Sequence, residues 1–172
     1  MNRPLLSLTS LLIKSVSLIL IGGSINIAAA LPEDRKLPLD INADWSEFSG
    51  GTPTGIYRGN VVLTQGNLQI TADEAIFQLK DGELEYIIAT GNPVKIKDLP
   101  QANEGWVFGE GGSLSFYPQQ QMLALENNAK IKQSNDSVSA NKITYNLDTR
   151  KINAERSSKN RVHFTIQMEG RE

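Results

Sequence analysis

Nucleophilic catalysis, zinc hydrolysis and carboxylate acid–base work each need particular side chains within reach of one another. The chain has one histidine, His163, and no cysteine. His163 sits in the alternating stretch "RVHFTI", which reads as a strand with a partly exposed imidazole, and no G-x-S-x-G elbow supplies a serine for it to activate. Carboxylates cluster at Asp73 with Glu74 and at Asp81, Glu83 and Glu85. A glycosidase pair could be drawn from them, but the first two fall where a strand is expected to bend and the others at a turn, where solvated charges are routine. A lone histidine without a calcium-loop pattern leaves no metal site and no cofactor, and without a G-x-x-x-x-G-K-[ST] loop the chain cannot draw on a nucleotide for energy. These residues point away from an enzyme, so the elements themselves must carry the function.

Apolar residues recur at every second position in "LPLDI", "YRGNVVL", "AIFQL", "ELEYI" and "VKI", and no window holds a helical period for three turns. Turn signals separate these runs: "SGGTPTG", "QGN", "KDGE", "TGNP", "DLPQANEG", "YPQQQ", "QSND" and "LDTRK". The pattern predicts an all-β chain of many short antiparallel strands.

The sequence also repeats. "GNVVLTQGNLQITADEAIFQL" (59–79) has a degraded copy, "NNAKIKQSNDSVSANKITYNL" (127–147), and an offset of 68 pairs Asn60 with Asn128, Gln65 with Gln133, Phe77 with Tyr145 and Phe48 with Phe116. Each half divides again, because "INADWSEF", "ITADEAIF", "GEGGSLSF" and "VSANKITY" share a small third residue and an aromatic eighth. This gives four units of roughly 29 to 39 residues. Inside each octet the alternation slips by one, which keeps one face apolar only if the strand bends. Corners are expected near Asp44, Asp73, Gly112 and Asn141. Stacked bent units would make an elongated sheet with two ends, each leaving a strand edge open to another chain.

At the N-terminus Arg3 and Lys14 precede "SVSLILIGGSINI", an apolar run too short to span a bilayer, followed by "AAA" at 28–30. A signal peptide cleaved after Ala30 is expected, rather than a retained anchor, leaving one domain over 31–172. Loss of Arg3 and Lys14 would shift the formal charge from -2 to -4. That balance, with cations scattered apart from a modest group after Lys142, argues against nucleic acid as a partner.

The order of "LPLDINADWSEF", "GNVVLTQGNLQITAD", "GNPVKI", "LSFYPQQQMLALENNAKI" and "VSANKITYNLDTRKI" resembles the LptA/OstA family of periplasmic lipopolysaccharide-transport proteins over the whole mature chain. Two departures stand out: Asn127 where the family more often has Gly-Asn, and the insertion "GGTPTG" at 50–55. The resemblance implies an elongated open β-jellyroll of about sixteen strands, with lipopolysaccharide acyl chains in an apolar groove. It further implies end-to-end homo-oligomers in the periplasm that bridge an inner-membrane LptC-like partner to an outer-membrane LptD-like one, contributing to outer-membrane assembly.

The in-phase apolar set Leu39, Ile41, Leu63, Ile70, Phe77, Ile96, Phe116 and Tyr145 is expected to line that groove. The resemblance adds weight to Leu39, Ile96 and Phe116 and brings in Pro118. Periodicity alone favours the ordinary core of a closed sandwich, in which case the chain would be a structural or adhesive β-repeat module. The resemblance reverses that preference. The docking edges are expected near 37–43 and 162–166.

Overall fold

The computed structural model describes residues 32–49, 53–101, 104–158 and 161–167. The expected cleavage after Ala30 lies outside them, as does part of the "GGTPTG" insertion. A 3₁₀ turn, Pro32–Lys36, precedes ten strands: β1 Asp40–Asn42, β2 Trp45–Ser49, β3 Thr54–Gln65, β4 Leu68–Lys80, β5 Glu83–Asp98, β6 Val107–Tyr117, β7 Met122–Gln133, β8 Asp136–Asn146, β9 Ile152–Glu155 and β10 His163–Thr165. A second 3₁₀ turn, Pro118–Gln120, joins β6 to β7. All pairings are antiparallel and lie in one sheet, in which β3 to β8 follow one another. At one end β1 and β2 both pair with β3, and at the other β9 and β10 both pair with β8.

Those double pairings arise because the long strands bend. The ladder slips between Arg58 and Val61, Thr71 and Glu74, Thr90 and Val94, Glu110 and Ser113, and Glu126 and Ala129. In β8 the partner changes from β10 at Ser139 to β9 at Lys142. Each of β3 to β8 thus has two arms, and the corners align across the sheet. One layer holds β1, β10 and the arms 61–65, 68–72, 94–98, 107–111, 129–133 and 136–140. The other holds β2, β9 and the arms 54–58, 74–80, 83–90, 113–117, 122–126 and 142–146. Their inner faces share a single cluster of buried apolar residues. The contact is close: a Cβ placed on Gly109 of the first layer would stand 2.8 Å from Leu125 Cδ1 of the second.

The corners are made by backbone that most residues avoid. Gly59 and Asn60 have φ of 76° and 46°, and their repeat counterparts Asn127 and Asn128 both have φ of 63°. Asparagine tolerates the left-handed region better than other side-chain-bearing residues. The replacement of Gly59 by Asn127 in the second half therefore preserves the bend. Side chains lace neighbouring corners: Asn60 Nδ2 donates to Asp44 Oδ2 at 2.8 Å, the Asn92 N–H to Asp73 Oδ2 at 3.2 Å, and Asn127 Nδ2 to Ser113 Oγ at 3.4 Å.

Two expectations change. Among the described residues there are ten strands where about sixteen short ones were expected, because six strands of 11 to 16 residues run through the corners without ending. "TGNP" is not a connection between strands: Gly91, Asn92 and Pro93, with a cis Asn92–Pro93 bond, lie inside β5. The hairpin between β4 and β5 is Asp81-Gly82, within the expected turn "KDGE"; its φ values of 53° and 83° suit a two-residue turn with both central residues left-handed.

Candidate functional site

The corner edge of the molecule is closed by continuous backbone; the opposite edge, where the strand ends of the two layers meet, is here termed the mouth. Between corner and mouth the interior is apolar. Leu63, Ile70, Ile96, Phe116 and Tyr145 of the expected lining are fully buried in it. Leu63, Ile70 and Ile96 occupy neighbouring strands of the first layer in one row, since Leu63 pairs with Ile70 and Ile70 with Ile96. Phe116 and Tyr145 face them from the second layer and both flank Leu123. Leu39, Ile41 and Phe77 are half-buried toward the N-terminal end of the sheet. Phe77 stacks on Phe48, 5.9 Å between centroids, and lies against Tyr57. Pro118 is apart from the sheet faces, opening the second 3₁₀ turn at the rim of the second layer. The expected set omitted Leu114, Leu125, Ile131 and Ile143, equally buried. Their alternation in β6, β7 and β8 was open to the same reading as the rest.

The mouth has different chemistry. Among the described residues only Gln65 and Asp98 are both buried and polar, and both sit there. Asp98 ends the first-layer arm of β5; its Oδ1 is 2.5 Å from Arg35 Nη2, and Tyr145 Oη of the second layer donates to its Oδ2 at 3.4 Å. Burial, followed by the nearby Asp98 charge, pushes the Tyr145 phenol well above its ordinary range, so it stays a donor. Gln65 Nε2 donates to the carbonyls of Arg35 and Leu37 at 3.0 Å each, and Asn67 Nδ2 to Asp34 Oδ2 at 2.6 Å, which hold the N-terminal 3₁₀ turn on the β3–β4 hairpin. A second bridge spans the mouth where Arg150, in the β8–β9 turn, meets Glu104, in the β5–β6 connection. None of these polar partners was anticipated, because contacts such as Arg35 with Asp98 join residues far apart in sequence and no short motif marks them.

Three of the carboxylates considered for acid–base chemistry have structural partners. Asp73 caps the Asn92 N–H at a corner, Glu74 pairs with Arg58 at 2.5 Å, and Glu83 accepts from Gln119 Nε2 at 3.1 Å. His163 is exposed in β10 beside Thr165. Among the described residues no group of three or more histidine or carboxylate side chains is placed to hold a metal ion.

A family model described as "LptA/(LptD N-terminal domain) LPS transport protein" matches residues 40–151, from β1 to the turn before β9. The chain belongs to this family. Its relatives include the lipopolysaccharide export system protein LptH of Pseudomonas aeruginosa, 28% identical over 138 residues that cover 80% of this chain and 79% of that protein. The export protein LptA of Haemophilus influenzae is 29% identical over 139 residues, covering 78% of this chain and 80% of its own. The crystal structure of P. aeruginosa LptH, described as the LptA-homologous periplasmic component of a lipopolysaccharide transport device, superposes with a TM-score of 0.74. It is 24% identical, and the match covers 80% of this chain and all of the crystallised LptH chain, which shows a shared fold. Relatives of this chain are thus lipopolysaccharide export proteins, and the open antiparallel sheet is a fold it shares with LptH.

Proposed function

We propose that the chain carries lipopolysaccharide through the periplasm by shielding its acyl chains between the two layers, and that molecules join end to end with inner- and outer-membrane export proteins to form a bridge. The observation that carries this reading is the interior: a continuous apolar cluster running from β3 to β8, closed on one side by bent backbone and bridged on the other, among the described residues, by the polar contacts Tyr145–Asp98 and Arg150–Glu104. An acyl chain of about ten methylenes loses roughly 8 kcal/mol in water, at about 0.8 kcal/mol per methylene. A lipid bearing several such chains needs an apolar path. Parting the layers exposes apolar surface, and inserted chains cover it again at a similar free energy per unit area, so loading and release can both proceed without a large net change. A site meant to let cargo move on should have this balance. The energy for directed movement has to come from a partner.

That the interior is filled by the chain's own side chains favours the alternative, a closed β-repeat assembly module. The readings separate on one experiment. Purified protein incubated with lipopolysaccharide and passed over a sizing column should carry lipid in the protein peak at about one molecule per subunit. A lipid-free protein peak at all lipid concentrations would leave the assembly module as the better account.

A further inference from the structure

The buried polar cluster at the mouth is a costly feature of an otherwise apolar interior. Burying an ion pair rarely gains stability over apolar residues of similar volume, so a role in holding the fold is a weak account of Arg35 and Asp98. The cluster is also incomplete. The Arg35 side chain is only 10% exposed, yet its Nη1 has no hydrogen-bond partner, and neither has the buried Oε1 of Gln65. A guanidinium presents a planar fork that matches the oxygens of a phosphate or carboxylate, and here one prong is held by Asp98 while the other is unoccupied. The residue stands where the layers part. Resting on the lipid-carrying reading, its position is the one at which the polar head of an amphiphile must lie once its chains are between the layers.

We propose that Arg35 is an anion-recognition residue at the mouth, exchanging Asp98 for a phosphate of the lipid head group when the chains enter. The exchange is feasible because the N-terminal 3₁₀ turn lies outside the sheet, held to the β3–β4 hairpin by side-chain hydrogen bonds from Gln65 and Asn67. When the mouth opens, the bond from Tyr145 of the second layer is broken and water reaches Asp98, so neither charge is left buried and unpaired. Asp98 in this scheme is a competitor for Arg35. It prevents the guanidinium from holding the anion so tightly that release fails.

The test compares bisphosphorylated lipid A with the same lipid stripped of phosphate, binding to the full mature chain. The wild type should prefer the phosphorylated form by about tenfold, as a charge-assisted bidentate contact provides. Arg35→Gln should abolish the preference while leaving affinity for the stripped lipid unchanged, and Asp98→Asn should enlarge it. Free inorganic phosphate should not compete with the stripped lipid but should compete weakly with the phosphorylated one. Equal binding of the two lipids by the wild type, or a preference that survives Arg35→Gln, overturns the proposal while lipid carriage stands. Binding of neither lipid overturns lipid carriage and the proposal together. If Arg35→Gln does not fold, by circular dichroism, then Asp98→Asn decides: an unchanged preference in that variant rejects the exchange.

Discussion

At the residue scale, the apolar side chains are interchangeable in kind and the backbone conformations are not. Gly59 shows this most directly. Its φ of 76° lies in the left-handed region, and a Cβ there would also stand 2.6 Å from Asp44 Oδ2. Gly59→Ala should therefore lower stability by about 1–2 kcal/mol, the cost of holding an alanine in that region. Asn127 occupies the equivalent place with φ of 63°, so Asn127→Gly should change stability by no more than about 0.5 kcal/mol. Urea denaturation of the two variants checks both values. Equal losses in the two would mean that the paired corners are not equivalent. The burial of most of the expected set was legible in the sequence because inward-facing positions repeat with a period of two and the repeat marks them twice, as with Phe77 and Tyr145. Arg35 and Asp98 were not legible, since their meeting depends on where the bent arms bring the ends of β5 and of the N-terminal turn.

At the element scale, the corners near Asp44, Asp73, Gly112 and Asn141 could be read from the slip in alternation, and the structure bends at each. The corners at Gly59-Asn60, Gly91-Asn92-Pro93 and Asn127-Asn128 were harder. Glycine and asparagine serve both as hairpin residues and as bends within a strand, so composition does not say whether the strand stops or turns. The figure of about sixteen comes from the family resemblance; among the described residues there are ten strands, six of them bent. On the proposed function, the bends act as the hinge on one edge and leave the opening on the other. A clamp at the mouth should then block loading. With no native cysteine in the chain, Glu104→Cys with Arg150→Cys can be joined by a short bismaleimide, and lipopolysaccharide uptake should fall at least about tenfold relative to the unjoined double variant. A pair joined across the corner, Asp44→Cys with Asn60→Cys, should load normally. Undiminished uptake by the mouth-clamped protein would show that chains do not enter by parting of the layers.

At the scale of the whole molecule, the two ends of the sheet are unlike its middle. β2 is exposed along its length, with Trp45 and Phe48 at 44% and 60% exposure, and beyond the other edge Phe164 and Ile166 stand at 55% and 65%. Unpaired strand edges with exposed apolar side chains are templates for another chain, and they fall at or beside the segments 37–43 and 162–166 that the sequence marked for docking. Sedimentation should accordingly show rods that lengthen with concentration, and Phe164→Asp together with Ile166→Asp should leave monomers with an unchanged melting curve. Assembly that persists in that double variant would place the contact elsewhere. Joined ends would set the apolar interiors of successive molecules in line, which is how a small subunit could serve a path longer than itself.

The central claim is that lipid travels between the layers, and neighbouring residues of β5 test it within a single strand. Ile96 is 2% exposed and faces the interior, whereas Lys95 beside it is exposed on the outer face. A photoreactive residue placed at each position in living cells, followed by probing for attached lipopolysaccharide, should give a lipid adduct at 96 and none at 95. Adducts at 95 alone, or at neither position while the protein supports growth, would contradict the account.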